Sequence, residues 1–178
     1  MAESLQVLAA RAQLGDRAAL ENMLRELEGP LRAHIHGIVR DYDTVEDVLQ
    51  ETLIIIYRKL RSLADPKWVR PWSYRIATRE AVRTSRKLGR DVDLSEELAT
   101  TPDSNSAAGD FDMDAIERIH KRIDLLPVAC GVVMRMRYVH SLSQDEIAEA
   151  LSIPIGTVKS RIAYGLSILR KEMTAGSS

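Results

Sequence analysis

The chain has 178 residues, 45% hydrophobic, 29% charged and only 4% aromatic, with 25 Lys and Arg against 26 Asp and Glu. That balance suits a globular protein of one domain or two small ones, with cores of Leu, Ile, Val, Ala and Met rather than aromatic residues. The single cysteine, Cys130, excludes an internal disulfide framework, and the lack of a signal-peptide pattern or long apolar run predicts a cytoplasmic protein without membrane insertion. Cys130 sits in an apolar run and reads as a buried structural thiol. Strand alternation is not found, and helical periodicity covers nearly everything outside one linker, which predicts an all-α fold.

Ser4 to Leu14 has the pattern of a weak amphipathic helix, closed by Gly15 and Asp16, which break and cap. From Arg17 onward Leu20, Met23, Leu24, Leu27, Leu31, Ile35 and Ile38 recur at helical spacing. Pro30 lies inside this run and must either kink the helix or begin a second one. His34 and His36 are two apart and face different sides, so they read as partly exposed histidines and not as a metal pair. Asp43-Thr44-Val45-Glu46 then reads as a capping box opening the next helix, with Asp47 adding charge that suits its N-terminus. Val45, Val48, Leu49, Thr52, Ile55, Ile56 and Leu60 form the inward stripe, which leaves Asp47, Gln50, Glu51, Ile54 and Arg58 outside. An outward Ile among acids and amides fits a partner surface, and it fits equally a solvated face with one stray apolar residue.

The stretch Val45-Glu46-Asp47-Val48-Leu49-Gln50-Glu51-Thr52 resembles region 2.2 of bacterial sigma factors. The resemblance implies a helix that docks on the clamp helices of the RNA polymerase β′ subunit. It makes Asp47, Gln50, Glu51, Ile54 and Arg58 the expected contacts with core polymerase.

Charge then concentrates. Arg58 to Arg90 holds eleven Lys or Arg against two acids, Asp65 and Glu80, a density whose common physical use is to meet phosphates. Ser62 to Lys67 reads as a loop, and Trp68, Val69, Trp72, Ile76 and Ala77 open a helix that runs to about Lys87. Both tryptophans and Tyr74 are interleaved with cations, an arrangement that suits single-stranded nucleic acid, where bases stack and guanidinium groups hold the backbone. Core packing is the competing use: Trp72 shares a face with Ile76 and reads as core, whereas Trp68 is open to either. The run from Trp68 to Ala77 resembles sigma regions 2.3 and 2.4. The resemblance implies that this part opens the −10 promoter element, with a non-template base flipped into a pocket formed largely by Leu63 to Lys67. The implied −10 contacts are Leu63, Ala64, Asp65, Lys67, Trp68, Arg70, Tyr74, Arg75, Arg79, Arg83 and Arg86. Arg79 and Arg83 stand where the family often has Asn and Asp, and both add positive charge.

Between residues 91 and 114 the sign reverses, with eight acids and no Lys or Arg, among turn formers such as Thr101, Pro102, Ser104, Asn105 and Gly109. This reads as a flexible acidic linker and as the domain boundary. By the resemblance, such a linker threads the basic cleft and exit channel of polymerase.

After the linker, Phe111, Ala115, Ile116, Ile119 and Ile123 share one face, and Leu125-Leu126-Pro127 ends that helix and begins another. Val128, Val132, Val133 and Met136 line this next helix, which ends in Arg135, Arg137, Tyr138 and His140, with His140 read as a surface histidine. Ser143 and Glu146 form a capping box for a short helix carrying Ile147, Ala148 and Leu151. Ser152 to Gly156 breaks the chain, and Thr157 caps or opens a last helix whose inner face is Val158, Ile162, Gly165, Leu166 and Leu169. Ser160, Ala163, Tyr164 and Ser167 point outward, flanked by Lys159 and Arg161. Small and polar residues on the outer face of a second helix suit a helix-turn-helix, whose second helix enters the major groove while flanking cations meet phosphates.

The run Leu142 to Arg170, and most specifically Ile155-Gly156-Thr157-Val158-Lys159-Ser160-Arg161, resembles sigma region 4; taken alone it also suits the output domain of a response regulator, and the rest of the chain decides between them. The resemblance implies −35 contacts by Arg137, Ser143, Thr157, Lys159, Ser160, Arg161, Ala163 and Tyr164. With two motifs in this order, the chain is identified as a member of the extracytoplasmic-function group of the sigma-70 family. That implies a region 2-like bundle over residues 1–90, the linker over 91–114, and a region 4-like helix-turn-helix domain over 115–178. The implied partners are core RNA polymerase, through its β′ clamp helices and β subunit, promoter DNA, and an anti-sigma protein covering both halves. Catalytic constellations, phosphate-binding Gly-rich loops and Cys/His ligand sets are not found, so neither enzyme activity nor a cofactor or metal is expected. A second reading is a free-standing helix-turn-helix regulator that binds duplex DNA without polymerase. It leaves the basic, Trp-containing block without a use.

Overall fold

Helix α1, Leu5–Gln13, ends where Gly15 adopts a left-handed φ of 97°, and Asp16 caps α2, Arg17–Val39, by accepting the Ala19 N–H at 3.0 Å. This computed structural model describes residues 3–89, 94 and 122–175. The Ala19 N–H, and then the Arg11 guanidinium at 2.6 Å, hold the Asp16 carboxyl below the usual range for an aspartate. Helix α2 runs unbroken through Pro30, so of the two alternatives for that residue the start of a second helix is not found. Glu26 and Pro30 are both exposed, and water can take the place of the missing donor.

Arg40 closes α2 in the left-handed region, and Asp41 opens α3, Tyr42–Lys59, accepting the Thr44 N–H at 3.0 Å. The helix thus starts before the expected Asp43 cap. Two acids two residues apart both precede a helical run, and the one with extended backbone takes the role. A turn at Leu60–Ser62 and a second at Pro66–Trp68, both of 3-10 type, lead to α4, Val69–Lys87. Pro71 is tolerated in the first turn of α4, where its missing N–H has no intrahelical partner to lose.

These four helices share a core of Leu8, Met23, Leu27, Leu31, Ile35, Val48, Ile56, Val69 and Ala77, with α2 packed against α1, α3 and α4. His34 belongs to that core, which corrects its reading as partly exposed. It lies three residues from Leu31 and four from Ile38, on the buried stripe, and its ring meets Tyr74 edge-on with centroids 5.0 Å apart. Thr78 Oγ1 donates to the Tyr74 carbonyl at 2.8 Å, so the same oxygen accepts from His34 Nε2–H, also at 2.8 Å.

The chain divides into two compact units that part near residue 91. From residue 122 onward the described elements are a 3-10 turn at Ile123–Leu125, α5 Val128–Met134, a π-type turn at Arg135–Val139, α6 Gln144–Leu151 and α7 Ile155–Ala175. Of the expected linker, only Leu94 is among the described residues, and the helix expected from Phe111 lies outside them up to Lys121. Met134, Met136, Leu142, Ile147, Val158, Ile162 and Leu166 form the core. Gly165 allows α5 and α7 to approach: a Cβ there would stand 2.9 Å from Met134 Cγ. His140 is buried, a second correction. Its N–H donates to the Arg135 carbonyl at 3.0 Å, five residues back, and this wider turn rotates the residue inward. Cys130 is buried as expected, and burial pushes its thiol up to about 11.

Candidate nucleic-acid and partner interfaces

Helix α3 turns Val45, Val48, Leu49, Thr52 and Ile56 inward. Asp47, Gln50, Glu51, Ile54 and Arg58 are all exposed, on the side away from that stripe. Among these five, two are acids, one is an amide, Ile54 is the large apolar side chain and Arg58 is the cation at the C-terminal end.

Beyond α3 the chain makes a tightly bonded loop. The Leu63 N–H donates to the Leu60 carbonyl at 3.1 Å, and the Ser62 hydroxyl donates to the Lys59 carbonyl at 2.7 Å. Asp65 caps the second turn, accepting the Lys67 N–H at 3.0 Å, while Lys67 Nζ returns to Asp65 Oδ2 at 2.9 Å. The Lys67 backbone N–H, and then its side chain, hold the Asp65 carboxyl below the ordinary range. Lys67 Nζ also stands 5.8 Å from the centroid of the Trp68 ring, within cation–π reach. Leu63 and Asp65 are half-buried, while Ala64 and Lys67 are exposed. Gln13, which sequence reading leaves without a role, reaches this loop from α1 and donates to the carbonyls of Leu60 and Leu63 at 2.9 and 2.7 Å.

Of the three aromatics interleaved with cations, Trp68 is 38% exposed, Trp72 is half-buried and Tyr74 is 1% exposed. Tyr74 is therefore corrected from a −10 contact to a core residue against His34, and burial raises its phenol far above the usual value. Trp68 is the most exposed of the three. Arg79, Arg83 and Arg86 are exposed at spacings of four and three, so they share the outer side of α4, with Arg75 half-buried one turn earlier and Arg70 half-buried at the helix start. Arg83 is paired at 2.5 Å with Glu80, which offsets part of the positive charge of that stripe.

In the second unit the capping box forms as expected: the Ser143 N–H donates to Glu146 Oε2 at 2.7 Å and the Glu146 N–H to Ser143 Oγ at 3.1 Å. Ser152 ends α6 with a left-handed φ of 56°. The Pro154 carbonyl accepts from Thr157 and Val158, so Thr157 lies in the first turn of α7 and is not its cap. Lys159 is exposed, and Thr157, Ser160, Ala163 and Tyr164 are half-buried on the outer side. The Ser160 hydroxyl donates back to the Thr157 carbonyl at 3.0 Å. Arg137 is half-buried and donates to the Leu142 carbonyl at 3.1 Å, which braces the segment before Ser143.

Arg161 departs from expectation. It is 1% exposed and donates to the carbonyl of Leu94. Position 161 follows Val158 by three and precedes Gly165 by four, so it falls beside the inner stripe, and the long aliphatic stem is covered. The expected phosphate contact is corrected to a buried packing position.

Among the described residues no group of three or more His, Cys, Asp or Glu is arranged to hold a metal, and no helix is long and apolar enough to cross a membrane.

Comparison with known proteins gives a consistent picture. The sigma-70 region 2 family model matches residues 23–91, and the sigma-70 region 4 model matches residues 116–169. The chain is 30% identical over 170 residues to the ECF RNA polymerase sigma factor SigW of Bacillus subtilis, a match that spans 89% of this chain and 91% of that one. It is 30% identical over 171 residues to the RNA polymerase sigma-H factor of Pseudomonas aeruginosa, spanning 90% and 89%. It is also 30% identical over 177 residues to the ECF RNA polymerase sigma-E factor of Escherichia coli strain K12, spanning 91% of each. A solved structure of CnrH in complex with the cytosolic domain of CnrY shares the fold, with a TM-score of 0.68 at 20% identity over 97% of this chain and 98% of that one.

Proposed function

The chain belongs to the extracytoplasmic-function group of sigma-70-family sigma factors, and from that premise we propose which of its surfaces meets polymerase and which meets promoter DNA. As a member it binds core RNA polymerase and directs promoter recognition and transcription initiation, so it is an initiation factor whose bond-making chemistry belongs to the polymerase. The exposed α3 face of Asp47, Gln50, Glu51, Ile54 and Arg58 is the docking surface for core, on the β′ clamp helices. The loop from Leu63 to Lys67 receives a flipped non-template base of the −10 element, with Trp68 available to stack and Arg70, Arg75, Arg79, Arg83 and Arg86 on the backbone. Unstacking a base costs a few kcal/mol, and these contacts offset it. Helix α7 reads the −35 element through Ser160, Ala163 and Tyr164, with Lys159, Arg137, Thr157 and Ser143 toward phosphates.

The observation that carries this reading is the loop itself. A basic block with one exposed tryptophan beside a bonded turn suits strand opening. A free-standing duplex-binding regulator has no use for it. The same proposal sets the boundaries at residues 1–90, 91–114 and 115–178, with a cytoplasmic location and an anti-sigma protein as a further partner. Limited proteolysis of the free protein should cut first within 91–114. The main test is run-off transcription with core enzyme on genomic fragments, together with co-purification of core. Core-dependent transcripts with shared −35 and −10 sequences are expected. Duplex binding that neither needs nor recruits core would overturn the assignment.

A further inference from the structure

We infer that Gln13, on α1, is a positioning residue for promoter opening, because it fixes the backbone of the loop proposed to capture the flipped base. This inference rests on the strand-opening role given to Leu63 to Lys67. Gln13 lies outside the residues matched by the region 2 family model, which begin at 23.

The geometry is specific. One nitrogen, Nε2 of Gln13, donates to two carbonyls three residues apart, Leu60 at 2.9 Å and Leu63 at 2.7 Å. A primary amide has two hydrogens on that nitrogen, and both are used. The Leu60 carbonyl also accepts the Leu63 N–H, so its second lone pair is engaged as well. The segment that enters the loop is thereby tied from within its own turn and from a helix 47 residues away in sequence. Helix α1 supports the arrangement, since it packs against both turns that flank the loop and against α4. The helix is itself anchored: Arg11 bridges Glu3 and Asp16, and Leu8, Ala9 and Ala12 are buried.

The far side of the loop is held differently. Asp65 and Lys67 bond each other, and both partners lie within the loop itself. Gln13 is the part-buried side chain that refers the loop to the rest of the bundle. Without it the Leu63 carbonyl loses its donor, and the loop keeps its local bonds but not its register against α1. A pocket for a base tolerates little displacement, so the effect falls on opening and not on binding of closed duplex.

The test uses full-length protein with core polymerase on a promoter fragment chosen by run-off transcription. Gln13→Met keeps the packing volume and removes both donors. Gln13→Glu is isosteric and sets a carboxylate against two carbonyls. Gln13→Arg restores donors and is the rescue variant. Helicity and thermal melting are read first, then closed-complex binding, permanganate reactivity of the −10 bubble, and transcription from a template with that bubble pre-melted. For Met and Glu, permanganate reactivity should fall about ten-fold, as expected for two lost hydrogen bonds of ordinary strength. Closed binding should stay within about two-fold, and the pre-melted template should recover part of the transcription; Arg should recover part of the opening. Leu63 and Lys67 variants run beside them. If those fail to open while the Gln13 variants open like the unmodified protein, the Gln13 inference is wrong and the loop role stands. If closed binding falls in step with opening, Gln13 only stabilises the fold, and the inference is again wrong. If the loop variants themselves open normally, the strand-opening reading fails and takes this inference with it.

Discussion

His34 Nε2 and Thr78 Oγ1 lie 2.8 Å apart in the interior of the first unit, and their bond joins α2 to the helix that carries the basic stripe. Both residues are buried, so neither can turn to water if the other is removed. Thr78→Val should therefore cost about 1–3 kcal/mol, since it strands a buried imidazole N–H. Replacing both partners, as His34→Leu with Thr78→Val, should cost less than the sum of the two single changes. Urea unfolding of the four proteins measures the coupling, and additive costs would show that the bond contributes nothing.

Docking on polymerase is expected to depend on the α3 face and not on helix stability. Glu51 and Ile54 are exposed on α3, away from its buried stripe. Glu51→Arg combined with Ile54→Asp should weaken core binding at least about ten-fold, the scale on which central apolar and charged contacts act. Far-ultraviolet circular dichroism should be unchanged. Unaltered affinity in a pull-down with core would remove this face from the interface.

On α7 the exposed and buried cations should behave differently. Losing Lys159, which is exposed, should weaken binding to every −35 sequence and flatten the salt dependence by about one unit of slope. Tyr164→Ala or Ser160→Arg should instead change which sequence is preferred, at about 1–3 kcal/mol for a base-contacting position. Arg161→Ala should leave the salt slope alone and lower the melting temperature of the second unit, because its side chain is covered and bonded to Leu94. A reduced salt slope for the Arg161 variant would return that residue to the phosphate contacts.

Cys130 supplies a pH test. Its thiol is raised to about 11 by burial, above the ordinary value of 9.0. A raised folded-state value means that the folded chain holds the proton more tightly, so this contribution is complete below pH 9.0 and is lost as pH rises toward 11. The second unit should lose stability over that window, and Cys130→Ala should flatten the loss. Alkylation of the native protein near pH 8 should be slow and should rise with urea in step with the loss of helicity. Rapid native-state labelling would contradict the burial.

The sequence was legible where apolar spacing and caps agree. The basic helix from Val69, the Ser143–Glu146 capping box and the break at Pro154 are found where the pattern puts them. It misled at the edges of stripes. His34, Tyr74 and Arg161 each lie three or four residues from a buried apolar position, and their polar atoms suggested an outward direction. Periodicity gives the centre of a buried arc and not its width, and a polar side chain with a bonded partner can sit well inside it. His140 was misplaced for another reason: spacing rules assume a regular helix, and the π-type turn at Arg135–Val139 breaks the count. Gln13 left no trace, because its partners are far away in sequence and are backbone carbonyls, which any residue supplies.

The bonded turn around Asp65 has a thermodynamic consequence. Ordering a free loop of five residues around a base would cost about 1–2 kcal/mol of conformational entropy per residue at the moment of melting. Here the Asp65, Lys67 and Gln13 bonds already fix that backbone in the free chain, so the cost is borne when the chain folds. Under the proposed role of this loop, opening at the −10 element is then left with the unpairing and unstacking of DNA as its main unfavourable term. The temperature dependence of bubble formation should then follow the base composition of the promoter, and variants that loosen the loop should add an entropic cost to it.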